Sequence, residues 1–315
     1  MSRVEITHPD EELFDGAGAT KRDLADYLTA IADRMLPELA GRPLSVIRVR
    51  PGQDPFMQKN LPKYAPDWIH RVGVWAERSR REVTYALCDD ERTLLWFGNQ
   101  RAVEYHPTLT RIDDPDSPIT MVMDLDPPEG AGFEVVTAAA HLVRRALDDA
   151  GMSGAVKTSG SKGVHVIIPI AAGTPVEDVA AATRALAARA ERLDPGLATS
   201  EFVKDRREGK VFLDSTRAGG ATVVAAYSPR IRPGTPVSFP VEWSELDGIS
   251  PGDFTVGTAV EALRSRPDWA ALLPEPQQLD AGLVEEGRDI PIARVQAMHE
   301  GKRRAKARRD ADEEK

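Results

Sequence analysis

Val122-Met123-Asp124-Leu125-Asp126 closes an apolar run with two carboxylates one residue apart, and Pro127 and Pro128 end the run. In a strand, side chains two residues apart share a face, so Asp124 and Asp126 stand together with their Cα atoms roughly 7 Å apart. Their oxygens can converge on one cation. Adjacent carboxylates otherwise repel and raise each other's pKa, and a divalent ion reverses that penalty. Oxygen ligands suit magnesium or manganese, and a pair of such ions can stabilise the attacking and leaving oxygens of a phosphoryl displacement. A strand end whose aspartates cap the next turn fits the same spacing.

"KVFLD" ends a second apolar strand in Asp214, with Arg217 just beyond. A third carboxylate from a neighbouring strand would complete a two-ion site, and an arginine beside it could neutralise phosphate. An ordinary strand-end aspartate paired with Arg217 is the structural alternative. Between the two aspartate segments, "VKTSGSKGVHVIIP" sets Ser159, Gly160, Ser161, Lys162 and Gly163 in a small turn before a strand that carries His165. Glycines let backbone amides approach an anion, and serine, lysine and histidine add donors, a cradle suited to a triphosphate. The stretch does not fit the GxxxxGK[ST] pattern, so a P-loop ATPase is not supported. A glycine hairpin with an exposed lysine fits it too.

These residues need elements to hold them. Thr20 and Asp23 open a helix whose apolar positions are Leu24, Tyr27, Leu28, Ile31, Met35 and Leu39. From Leu44 to Val103, "LSVIRV", "EVTYALC" and "TLLWFG" read as strands separated by turn residues. "FEVVTAAAHLVRRALDDAG" has helical spacing and stops at Gly151, and "GVHVIIPI" follows as a strand. Thr174 to Glu177 form a capping box with Pro175 at the first helical position, opening a helix to about Leu193. "KVFLD" and "ATVVAAYS" read as further strands and "GTAVEALRS" as a helix. The expectation is an α+β fold in one domain over residues 1–300, with a β-rich lobe to about 115 and a catalytic lobe from about 116. Residues 301–315, a basic block then an acidic one, read as a solvated tail.

Composition narrows the function classes. A chain of 315 residues, 41% hydrophobic, can bury a sizeable core, and the single Cys88 excludes an intramolecular disulfide. Scattered histidines without paired cysteines give no zinc pattern. No signal peptide or run of membrane-spanning length is present, so a cytoplasmic protein with no membrane partner is expected. The net charge of -9 excludes a polyanion-binding surface over the whole molecule but leaves room for a local basic groove. Arg48, Arg50, Lys59, Lys63, Arg71 and the cluster Lys204, Arg206, Arg207 and Lys210 collectively permit one.

The ordered motifs "THPDEELF", "FMQKN", "NQRAVEYHP", "MVMDLDPPEG", "KTSGSKGVHVIIP", "GKVFLDSTR" and "AAYSPRIRPGTPVS" resemble the archaeo-eukaryotic primase superfamily, and within it the polymerase domain of bacterial ATP-dependent DNA ligase D. The likeness covers nearly all of the chain except the tail. It implies a primase-like α+β core with mixed and antiparallel sheets, flanking helices and a central active-site cleft. It implies that Asp124, Asp126 and Asp214 bind two divalent ions, manganese by preference or magnesium. Ser159, His165, Arg217 and Arg230 match positions that contact the incoming nucleoside triphosphate, with Lys162 and Arg232 in the same pocket. Phe56 matches a position near the base, His106 one near the sugar or metal site, and Lys21 a lysine that grips a 5′-phosphate. Lys21, Lys59 and Lys63 are the expected DNA contacts.

The activity so implied is attack of a primer 3′-hydroxyl on a nucleotide α-phosphate, with ribonucleotides preferred over deoxyribonucleotides, at gaps or broken ends during end joining. The partners would be DNA, the Ku protein and a separate DNA ligase, with the protein on the nucleoid when bound to DNA; a stand-alone polymerase module is expected. Three departures bear on this: Glu11 stands where many members carry a second phosphate-binding lysine, Met57 replaces an aromatic after Phe56, and "STR" follows Asp214 where an aromatic is common. Two rival readings remain at this point. One is a haloacid-dehalogenase-type phosphatase with Asp124 as nucleophile and Asp126 as acid/base, although the pair is followed by Pro127 and Pro128 rather than the usual threonine. The other is a non-catalytic DNA-end binding module.

Overall fold

The computed structural model describes residues 4–76, 80–217 and 221–292; the expected tail, 301–315, lies outside them. Helix α1 (Lys21–Leu39) begins where Thr20 and Asp23 satisfy each other's backbone. The Asp23 amide donates to Thr20 Oγ1 at 3.2 Å and the Thr20 amide to the Asp23 carboxylate at 2.7 Å, which removes two orphaned donors. Leu24, Tyr27, Leu28, Ile31, Met35 and Leu39 form its buried face.

Strands β1 (Leu44–Arg50), β2 (Gln53–Gln58), β3 (Arg71–Ala76), β4 (Arg81–Ala86) and β5 (Ala102–Pro107) form the first sheet, in the order β2-β1-β4-β3 with β5 also on β1. Every pairing in it is antiparallel. Between β4 and β5 runs α2 (Glu91–Asn99), so "TLLWFG" is helical and not a strand as expected. Asp90 decides it by accepting the Thr93 amide at 2.7 Å, a side-chain cap that a strand has no use for. A short apolar run alone suits either element.

A small hairpin, β6 (Thr110–Arg111) and β7 (Asp114–Pro118), leads into the second layer. There β8 (Thr120–Asp126), α3 (Phe133–Asp149), β9 (Ala155–Thr158), β10 (Val164–Pro169), α4 (Val176–Leu193), β11 (Ala198–Thr199), β12 (Val211–Asp214) and β13 (Pro240–Val241) follow in turn. The sheet order is β11-β12-β8-β10-β9-β13, with only β11 and β12 parallel, which makes it mixed. β8 is central and buried from Thr120 to Leu125, as its largely apolar sequence, interrupted by Asp124, allows. Helix α3 stops at Gly151 as expected, with φ of 67° there. Helix α4 starts one residue later than expected: Pro175 is its N-cap, and Thr174 donates its hydroxyl to the Ala171 carbonyl, so no capping box forms.

The expected strand at "ATVVAAYS" is not one. Its amides at Val223 and Ala225 reach back to Pro107 and Tyr105 of β5, while the Tyr227 amide donates to the Ser238 carbonyl and the Ser238 amide to the Ser228 carbonyl on the way to β13. The segment is a strap joining the two sheets, and serving both prevents a regular ladder with either. "GTAVEALRS" forms only one turn of α-helix, α5 (Ala259–Ala262), followed by a 3-10 turn. The short α6 (Trp269–Leu272) and α7 (Ala281–Asp289) complete the described elements, α7 lying on α4 through an Arg184 bond to the Gly287 carbonyl at 3.0 Å. One continuous core runs through both layers.

Candidate active site

Strand register brings the charged residues into line. Asp214 of β12 stands opposite Asp124 of β8, Asp124 opposite His165 of β10, and His165 opposite Lys157 of β9. Opposed residues share a face, so these four form one transverse row, with Asp126 beside it two residues along β8.

Asp124 is 7% exposed, with Oδ1 at 3.2 Å from His165 Nε2 and Oδ2 accepting from Arg217 Nη2 at 2.9 Å. Burial alone would raise its pKa, but the imidazole and the guanidinium outweigh burial and hold the carboxyl below the usual range. Asp214 accepts from the Thr216 amide at 2.8 Å and hydroxyl at 2.6 Å, and its other oxygen lies 3.6 Å from Arg217 Nε. Asp126 has no hydrogen bond or ion pair among the described residues. Burial, then the charges of Asp124 and Asp214, push its carboxyl up to about 6, against the pull of Lys162 and Arg207.

Among the described residues, no three His, Cys, Asp or Glu side chains close into a finished metal cage. Asp124 and Asp214 are instead turned toward Arg217, His165 and Thr216. The donor chemistry still fits a hard divalent cation: three carboxylates face one way, and burial together with the like charges of Asp124 and Asp214 raises the Asp126 pKa.

The turn between β9 and β10 is held by its own serine. Ser159 Oγ accepts the amides of Ser161 and Gly163 at 3.2 and 3.1 Å. Two glycines are obligatory there. Gly160 has φ of 66°, and a Cβ would meet Arg230 Cγ at 2.6 Å and the Ser238 amide at 2.7 Å, while a Cβ on Gly163 would overlap the Leu125 carbonyl. Arg230 donates to the Ser159 carbonyl at 2.5 Å and Arg232 to Ser161 Oγ at 3.2 Å, so the structure gathers Ser159, Lys162, Arg230 and Arg232 around one turn. A cavity of about 300 Å³ opens beside it, lined by Asp126, Lys162, Lys204, Arg207 and Lys210 among others.

Two buried residues were missed by the sequence reading. Glu104, 3% exposed, accepts from the Ile231 amide at 2.9 Å, lies 2.9 Å from His106 Nε2 and 3.1 Å from Arg230 Nε. It thus ties His106 of the first sheet to Arg230 just beyond the strap. Burial would raise its pKa, but His106, Arg230 and the Ile231 amide together bring it down to about 2. Lys157, the second, bonds His165. The available signal was parity: Glu104 and His106 alternate on one strand, as Asp124 and Asp126 do.

The remaining expected residues stand apart from the row. Phe56, on the edge strand β2, has the Arg50 guanidinium 4.7 Å and the Arg48 guanidinium 5.7 Å from its ring centroid. Lys59 and Lys63 are exposed just beyond it. Lys21 is 4% exposed, and its ammonium donates to the Thr7 carbonyl at 2.5 Å and hydroxyl at 3.0 Å. Glu11 pairs with Arg101 at 2.5 Å, so its carboxylate is neutralised rather than left facing an incoming phosphate.

The chain is similar to known proteins over most of its length. A family model for the LigD primase-polymerase domain matches residues 20–270. The multifunctional non-homologous end joining protein LigD of Mycolicibacterium smegmatis is 34% identical over 249 residues, 78% of this chain and 32% of that protein. The bifunctional LigD of Bacillus subtilis is 31% identical over 269 residues, 84% of this chain and 43% of that protein. The chain therefore spans less than half the length of these curated relatives. Among solved structures, the polymerase domain from Mycobacterium tuberculosis ligase D in complex with DNA superposes with a TM-score of 0.77 at 32% identity, covering 92% of this chain and 100% of that one.

Proposed function

The chain belongs to the LigD primase-polymerase family, and from that premise we propose that it is a nucleotidyltransferase that extends DNA primers with nucleoside triphosphates. The observation that carries this reading is the transverse row, which sets Asp214, Asp124 and His165 on one face with Asp126 beside them. Asp124, Asp126 and Asp214 would hold two divalent ions, manganese by preference. When bound, such ions lower the pKa of the primer 3′-hydroxyl and offset charge on the pyrophosphate leaving group.

The chain's own groups bind and orient. Lys162, Arg230, Arg232 and the amides of the Ser159–Gly163 turn receive the triphosphate, and His165 donates to it. Arg217, bonded to Asp124, would also meet the nucleotide's phosphates. Phe56 offers a face to the base, and His106, fixed by Glu104, lies toward the sugar. On the DNA side, Lys59 and Lys63 contact backbone phosphates and Lys21 a 5′-phosphate at a gap or break. Ribonucleotide preference, action in end joining, and Ku and a separate ligase as partners complete the proposal, with the two sheets as the lobes of one polymerase module. The phosphatase alternative is disfavoured because the matching family model and the superposed structure are both LigD polymerase domains.

The test is extension of a labelled primer across a short gap with manganese or magnesium and either ribonucleotides or deoxyribonucleotides. Wild type extends it and Asp124→Ala/Asp126→Ala does not. Failure to incorporate under all four conditions overturns the assignment.

A further inference from the structure

Lys157 lies at the far end of the row, 2% exposed, where burying an ammonium carries a desolvation cost. Its two hydrogen bonds explain the lysine. Nζ lies 2.6 Å from Ser238 Oγ and 2.9 Å from His165 Nδ1. The Ser238 hydroxyl proton goes to the Thr158 carbonyl at 2.9 Å, so Ser238 can only accept from Lys157. An ammonium has no acceptor, so His165 Nδ1 must accept as well.

The other edge of the ring demands the same tautomer. Nε2 lies 3.2 Å from Asp124 Oδ1, and an ionised carboxylate only accepts. Burial lowers the Lys157 pKa to about 7, but the neutral amine keeps two N–H donors, enough for Ser238 and His165. The reverse bond, from Nδ1–H to the amine, would leave a bare Nε2 against a carboxylate. Only the form with Nδ1 bare and Nε2 protonated satisfies both sides.

We propose that Lys157 is a positioning residue for nucleotide transfer: by donating to His165 Nδ1 it fixes the imidazole as the Nε2–H tautomer and aims that N–H toward the aspartate face, where a triphosphate oxygen can accept it. This rests on the polymerase reading above, in which His165 meets the nucleotide. Without the lysine the ring has no donor on Nδ1, and rotation or tautomer exchange removes the N–H from the site.

The experiment is a long-range ¹H–¹⁵N correlation spectrum of the histidine side chains in the full chain at neutral pH, with His165 assigned from its absence in His165→Gln, alongside steady-state primer extension. Wild-type His165 should show a protonated Nε2 and a bare Nδ1 whose ¹⁵N shift carries the mark of an accepted hydrogen bond. Lys157→Met should give a mixed tautomer pattern and raise the nucleotide KM about ten-fold, the loss of one charge-assisted hydrogen bond, at unchanged DNA affinity. Lys157→Gln, which keeps an N–H donor, should recover part of both. A wild-type Nδ1–H tautomer, an unshifted Nδ1, or a folded Lys157→Met with unchanged spectrum and kinetics overturns the proposal, and the wild-type spectrum decides alone if neither variant folds. Wild type that incorporates no nucleotide while showing the expected spectrum overturns the polymerase reading and leaves the tautomer lock standing.

Discussion

Glu104 is the residue on which His106 and Arg230 converge, and it makes that corner of the site sensitive to acid. Its folded pKa, about 2, lies below the ordinary 4.5, so its charge stabilises the fold above pH 4.5 and that contribution is lost as pH falls toward 2. The shift corresponds to about 3 kcal/mol. Glu104→Gln is therefore expected to lower stability at pH 7 by an amount of that order, and its urea midpoint should change less than that of wild type between pH 4.5 and 2.5. Equal slopes for the two proteins would refute this. The contrast with the aspartates is instructive. Asp124, Asp126 and Asp214 were legible because each interrupts or ends an apolar run, a local signal. Glu104 and Lys157 were not, because the partners that give them meaning, Ile231 and Ser238, lie 127 and 81 residues away.

At the scale of elements, the long helices α1 and α3 could be read from periodicity and end signals, because local caps and apolar stripes decide them. α2 and the strap at residues 221–229 were misjudged for opposite reasons. A single cap at Asp90 overrides the strand-forming look of the first, and the strap trades regular pairing for bonds to two sheets. Tertiary fit can depend on one atom. A Cβ on Gly287 would fall on the Ala181 carbonyl, so Gly287→Ala should lift α7 from α4 and lower stability by about 1–3 kcal/mol, read as an earlier thermal transition. Because α7 lies outside the row, primer extension well below that transition should survive. Loss of catalysis at full stability would contradict the separation.

At the scale of the whole molecule, a net charge of -9 means that DNA binding must come from a few local cations. If Lys59 and Lys63 each neutralise one phosphate, Lys59→Ala/Lys63→Ala should shallow the log–log salt dependence of duplex affinity by about 2, and the single variants by about 1 each. An unchanged slope would place the DNA path elsewhere. No helix among the described residues is long and apolar enough to cross a membrane. Lys162, Lys204, Arg207 and Lys210 line one cavity beside the Ser159–Gly163 turn, together with Asp126 and Glu129.

The transverse row draws its members from positions 124, 157, 165 and 214, one on each of four strands. A slip of one residue in any of them would turn that side chain to the opposite face while leaving the backbone ladder intact. On the polymerase reading, catalysis would therefore be a vernier on strand alignment, more exacting than circular dichroism or compactness. Because non-local strand pairing is slower than helix formation, refolding from urea should restore the helical signal first and nucleotide incorporation later, the interval measuring how long the sheet searches among misaligned but compact arrangements.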